Sequence, residues 1–380
     1  MKYKSRDHKN ATKQLFNASL LFFAAMVFAI PSLADNCDGT QYRVHDVTYL
    51  ESSTVVNADS AFDSRCHYYT NSHGQRICQI RMRGSLFVPL AAAYNVPDGQ
   101  AKFPAIVVNH GSEHFFYATP QDQHDGHVHL CSVPEYFVPK GYIVFAPFRR
   151  GQGDPNNDAN RSTGIYVEDM VSDFESANPV YPHNTTCTTG GCYRSQLIAE
   201  QANEDVRAAM DFLKLRPDVK RVGGDSTDYR IGIMGISYGG WVTVYSNALD
   251  LGQRAAVAFS PAAESYGTTI CSPDDFNCGS PARRTLMVAA RNAKKPAFYL
   301  QARWDFNTQT TIDLAYAHAT GSSDPLHDRP FMSSIFSYPK PCAVTPCTQD
   351  EYQSVHAGFF RDTGRWGVAV SDFLIRQGVK

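Results

Sequence analysis

The chain has 380 residues, a net charge of -2, 43% hydrophobic and 19% charged residues. That balance belongs to a folded globular chain and excludes a disordered one. No basic patch or arginine-rich run stands out, so nucleic acid is not expected as a partner.

Residues 1–34 read as a signal peptide. Lys2, Lys4, Arg6, Lys9 and Lys13 form a basic stretch, an apolar run from Leu20 to Ile30 follows, and Ser32-Leu33-Ala34 makes a small-x-small cleavage site. The run is shorter than the roughly 20 residues that span a bilayer. Cleavage after Ala34 is expected, leaving a secreted or periplasmic protein with no stable membrane anchor. All 10 cysteines lie beyond Ala34, which suits an oxidising compartment. Proximity pairs Cys66 with Cys78, Cys187 with Cys192, Cys271 with Cys278 and Cys342 with Cys347, leaving Cys37 for Cys131. None of these is a C-x-x-C, which argues against redox or zinc-ribbon chemistry.

Tyr42 to Thr54 and Ile77 to Val88 suggest two strands of a hairpin around the Cys66–Cys78 loop. Phe103 to Val108 is short and β-branched, a buried strand, and it ends in Asn109-His110-Gly111-Ser112. A histidine-rich stretch follows, and then a second buried strand, Gly141 to Ala146, which runs into Arg149-Arg150-Gly151-Gln152-Gly153-Asp154. Ile198, Ala202, Val206, Ala209, Met210 and Leu213 recur at three and four, predicting an amphipathic helix over Gln196 to Leu215 that Pro217 ends. Strands are expected at Ile231–Met234, Ala255–Phe259, Ala297–Ala302 and Phe331–Phe336. Helices are expected from Trp241, over Arg283–Ala293 and Thr310–Ala319, and finally over Gly367–Ile375. Such alternation predicts an α/β fold: a mostly parallel central sheet, helices on both faces and an antiparallel hairpin at the N-terminal edge. One domain is expected over residues 35–380, interrupted by excursions at about 112–132, 155–194 and 321–350.

The chemistry centres on Gly235-Ile236-Ser237-Tyr238-Gly239, set between a strand and a helix. This is G-x-S-x-G in the context it requires, a sharp turn that exposes a serine hydroxyl. A serine is a poor nucleophile alone and needs a base held by an orienting acid. In open α/β sheets such groups stand at strand C-termini. Asp305 lies just past the Ala297–Ala302 strand, and His356 on the loop before the last helix, giving the order Ser237, Asp305, His356. Asp313, Asp324 and Asp328 compete for the acid, and His318 and His327 for the base; none has as fitting a place in the strand order. Two oxyanion donors are needed as well. The Tyr238 N–H is expected to be one, and the Ser112 N–H, after the Phe103–Val108 strand, the other. His110 reads as structural.

These stretches resemble the α/β-hydrolases, in particular the dienelactone-hydrolase-like and prolyl-oligopeptidase-like group of serine esterases. The resemblance is carried by PAIVVNHGS from Pro104, GYIVFAPFRRGQGD from Gly141, the Glu204–Gly240 stretch with RIGIMGISYGG, PAFYLQARWDFNT from Pro296, and His356–Leu374. It implies the α/β-hydrolase fold and carboxylic-ester hydrolysis through an acyl-enzyme, with Ser237 as nucleophile, His356 as base and Asp305 as its partner. It also implies a small-molecule ester as substrate and no cofactor. The dienelactone hydrolases proper carry a cysteine nucleophile, and the prolyl oligopeptidases an N-terminal propeller for which this chain has no room. A serine peptidase or aminoacyl hydrolase would use the same triad. A different class of reading makes His114, His124, His127 and His129 ligands of a transition metal, although one irregular loop offers them no rigid backing.

Overall fold

In the strand Ala105–Asn109 every residue is buried, and its side chains alternate between two cores: Ala105 and Val107 enter one, Ile106 and Val108 the other. That period of two is what a sheet covered on both faces demands. The computed structural model describes residues 42–57, 65–94, 101–111, 131–152, 162–163, 197–223, 227–262, 266–267, 269–305, 309–321, 330–341 and 349–380. The chain divides into Met1–Asn36 and Cys37–Lys380, and all described residues belong to the second part. The expected signal peptide and most of the three excursions lie outside the described residues, as do Cys37, Cys187, Cys192, Cys342 and Cys347.

In chain order the elements are β1 (Tyr42–Val55), β2 (His67–Thr70), β3 (Arg76–Pro89), β4 (Ala105–Asn109), α1 (Ser132–Phe137), β5 (Ile143–Pro147) and α2 (Arg207–Leu215). Then follow β6 (Ile231–Ile236), α3 (Tyr238–Leu249), β7 (Ala255–Phe259), α4 (Pro281–Arg291), β8 (Ala297–Ala302), α5 (Gln309–Gly321), β9 (Phe331–Phe336), α6 (Gln349–Arg361) and α7 (Thr363–Arg376). Among the described residues the sheet runs β1-β3-β5-β4-β6-β7-β8-β9, with β2 attached to β3 alone. The β1–β3 and β3–β5 pairs are antiparallel, and every pair from β5 to β9 is parallel. Residues of α2, α3, α4 and α5 pack in the core on one face, and those of α1, α6 and α7 in the core on the other.

The expected hairpin forms, with β2 as a strand the sequence reading did not include. The Cys66–Cys78 disulfide ties the residue before β2 to β3, and Cys271–Cys278 closes a loop before α4. Three carbonyls of that second loop, those of Asp275, Cys278 and Ser272, accept from the buried Arg283 guanidinium at 2.7, 3.0 and 3.1 Å. Cys131 is disulfide-bonded too.

The predicted Gln196–Leu215 helix contains a π-helical turn, Ala202–Val206, before α2 begins. One extra residue in a helical turn changes which side chains face the sheet. Glu204 and Asp205 thereby meet Arg150, whose Nη2 lies 2.8 Å from each carboxylate. Arg150 and Asp205 are both buried. Burial alone would lower the Arg150 pKa, but Asp205 and then Glu204 outweigh it and hold the guanidinium charged. Removing one partner of such a pair strands a buried charge. Asp205→Ala is therefore expected to cost about 3–5 kcal/mol of stability, read as a large drop in the urea midpoint; an unchanged midpoint would show that Glu204 alone suffices.

Candidate active site

Ser237 stands between β6 and α3 with φ 56° and ψ -119°, a region that a residue bearing a side chain seldom visits. Such a backbone costs on the order of 1–3 kcal/mol and persists only when its surroundings over-determine it. Three hydrogen bonds do so here. The Ser237 N–H donates to the Phe259 carbonyl at 2.9 Å, and its own carbonyl accepts from the Trp241 N–H at 2.9 Å and the Ala262 N–H at 3.0 Å. The flanking glycines answer to close approach. A Cβ on Gly239 would stand 2.0 Å from the Asn109 carbonyl oxygen, and one on Gly235 2.3 Å from that of Gly239. A strained serine at the end of a parallel strand, with a helix starting on the next residue, joins the strand order described above. The fold is that of the α/β-hydrolases.

In this hydrolase fold the strand beyond β7 from the serine is β8, and Asp305 follows it closely, its N–H bonded to the Ala302 carbonyl at 3.2 Å. His356 Nδ1 lies 2.9 Å from Asp305 Oδ1 and 3.0 Å from Oδ2, and both residues are buried. A carboxylate only accepts, so Nδ1 carries the proton and Nε2 is left as the basic nitrogen. His356, expected on a loop, lies instead inside α6. Val355, Phe359 and Phe360 bury one side of that helix, with the Phe360 and Phe359 rings 5.0 and 6.5 Å from that of Phe259. The Trp366 indole donates to the Phe359 and Phe360 carbonyls at 3.0 and 3.1 Å, which closes the end of α6. Phe259, whose carbonyl holds Ser237, is thus also the anchor of the helix that carries His356.

The rival residues have other partners. Asp313 pairs with Arg283 Nε at 2.8 Å and accepts from the Tyr266 hydroxyl at 2.7 Å. His318 is buried, with Nδ1 3.0 Å from the Tyr299 hydroxyl. Asp324, His327 and Asp328 lie outside the described residues, and so do Ser112, His114, His124, His127 and His129. Among the described residues no group of three or more His, Cys, Asp or Glu is arranged to hold a metal.

Two site residues escaped the sequence reading. Ser260, the residue after β7, donates its hydroxyl to Asp305 Oδ2. Arg149, fully buried, donates to the carbonyls of His110 and Gly111 at 2.7 and 3.0 Å, and its guanidinium carbon lies 4.8 Å from the centre of the Tyr238 ring. One cation thus ties the loop after β4 to the residue after the serine. Burial, then the Arg149 charge, hold the His110 pKa well below its ordinary value, so this histidine stays neutral. The Tyr238 hydroxyl donates to Gln201 Oε1 at 2.6 Å, fixing the ring from the other end. Arg149 was visible as part of the Arg-Arg-Gly run past a strand; Ser260 had only its place at a strand end.

No protein-family model matches the chain, and no curated protein matches it. Among solved structures it is similar to the acylaminoacyl peptidase of Pyrococcus horikoshii, at 14% identity over 86% of this chain and 42% of that one, TM-score 0.42. It is also similar to the acetyl xylan esterase from Paenibacillus sp. R4, at 16% identity over 86% of this chain and 92% of that one, TM-score 0.41. A sugar hydrolase from Lactococcus lactis shares 14% identity over 87% of this chain and 100% of that one, TM-score 0.42. The chain spans 42% of the length of the peptidase it resembles.

Proposed function

We propose that the protein is a secreted serine hydrolase of carboxylic esters, with Ser237 as nucleophile, His356 as general base and Asp305 as its orienting acid. The observation that carries this is the buried Asp305–His356 pair, anchored through Phe259 to the turn that strains Ser237. His356 Nε2 takes the Ser237 proton as the Oγ–carbonyl carbon bond forms, and the carbonyl oxygen becomes an oxyanion. The Tyr238 N–H and the Ser112 N–H receive that charge. Protonated His356 then gives its proton to the departing alkoxide, leaving an acyl-enzyme. Water, deprotonated by the same nitrogen, attacks the acyl carbon, and release of the acid restores Ser237. The disulfides Cys66–Cys78 and Cys271–Cys278 support an oxidising destination. No helix among the described residues is long and apolar enough to cross a membrane.

Ester and amide substrates separate this reading from a peptidase. A panel of esters and aminoacyl amides sharing one acyl group is expected to show turnover of the esters at steady rates and little or none of the amides. Amide turnover equal to that of the matched ester would move the assignment to a peptidase with the same triad. Loss of both with an intact fold would remove the hydrolase reading altogether.

A further inference from the structure

We propose that Ser260 is a positioning residue that fixes the catalytic acid, an inference that rests on the triad reading above. Ser260 follows β7, the strand between those that deliver Ser237 and Asp305. Its backbone is left-handed at φ 42°, and its N–H donates to the Leu300 carbonyl of β8 at 2.9 Å. Held this way, the hydroxyl donates to Asp305 Oδ2 while His356 Nδ1 spans both carboxylate oxygens. Ser260 and Asp305 are each only 4% exposed, so bulk water does not stand in for the hydroxyl. Two residues on, Ala262, at φ 61°, donates its N–H to the Ser237 carbonyl at 3.0 Å. The turn Ser260-Pro261-Ala262 therefore grips the nucleophile with its backbone and the acid with its side chain.

The torsion that orients a carboxylate is broad, and its plane is set by the donors around it. A hydrogen bond to an ionised group is among the stronger ones. Without the Ser260 hydroxyl the carboxylate plane is freer to turn, and with it the imidazole that Nδ1 ties to it. The Ser260 hydroxyl acts through Asp305, so its loss is expected to slow the chemical step and to leave substrate binding alone.

Ser260→Ala and Ser260→Gly separate this from a role in the turn alone. Glycine suits a positive φ better than serine or alanine, so a residue needed only for the turn would tolerate Gly with full activity. Both variants are expected to lose about 10- to 100-fold in kcat, with KM within about twofold of wild type. The Gly variant is expected to keep the thermal midpoint of the wild type. In an Asp305→Asn background, Ser260→Ala should cost no further activity, because there the hydroxyl holds an amide in the unproductive orientation and no longer orients a carboxylate. A Gly variant with wild-type kcat, or the full loss repeated in the Asp305→Asn background, overturns the proposal. Ser237→Ala in the same assay tests the underlying reading: if it stays active, the triad fails whatever Ser260 does.

Discussion

Ser237→Ala is expected to lower kcat/KM for every ester that the wild type hydrolyses by about 10⁴- to 10⁶-fold, with folding intact. The expectation follows from the division of labour in the site. In the proposed mechanism the hydroxyl supplies the only bond to the acyl carbon, so its loss closes the acyl-enzyme route and leaves direct attack by water. What remains comes from binding and from the oxyanion donors, which the substitution does not touch. Alanine keeps the Cβ, so the backbone at φ 56° stays as strained as before, and the three hydrogen bonds that impose it involve main-chain atoms alone. Circular dichroism and the thermal midpoint should therefore match wild type while activity vanishes.

Asp305→Asn is expected to cost about 10⁴-fold in kcat. The carboxylate accepts from His356 Nδ1 at 2.9 and 3.0 Å, which places the imidazole proton on that nitrogen. Asparagine keeps the shape but offers an NH₂ group as well as an oxygen. With the Ser260 hydroxyl donating to one atom of the group, the amide oxygen is drawn to that side and the NH₂ turns to His356. The imidazole then holds its proton on Nε2, where it cannot take one from Ser237. The imidazolium formed during turnover also loses its counter-charge. A kcat within about tenfold of wild type would remove Asp305 from the acid's role and reopen the question of its partner.

The central sheet was legible because parallel strands buried on both faces leave short apolar runs with little else in them. Ala255–Phe259 and Ala297–Ala302, buried throughout, were placed to the residue, as was Phe331–Phe336, whose residues alternate between exposed and half-buried. The positions of Ser237 and Asp305 were legible for a related reason, since each stands just past such a run. His356 was expected beside Asp305 from its place after the last strand, and it lies there, but its helix was missed. Gln349 to Tyr352 is polar, and only Val355, Phe359 and Phe360 mark a buried side, too few for a clear period. The π-helical turn before α2 was hidden by good helical spacing on either side of it, and the Asp205–Arg150 pair that it accommodates joins residues 55 apart in sequence. The contacts of Ser260 and Arg149 were beyond reach in a different sense. Their partners lie 45 and 39 residues away, and no local pattern encodes a contact at that distance.

Covalent labelling tests the central claim most directly. A fluorophosphonate presented to the folded protein should form one adduct, mapped by mass spectrometry to the peptide containing Ser237, with parallel loss of ester hydrolysis. Ser237→Ala should take up none. An adduct that persists in that variant, or that maps to another residue while hydrolysis is lost, would contradict Ser237 as the nucleophile and with it the whole arrangement of Asp305, His356 and Ser260 around it.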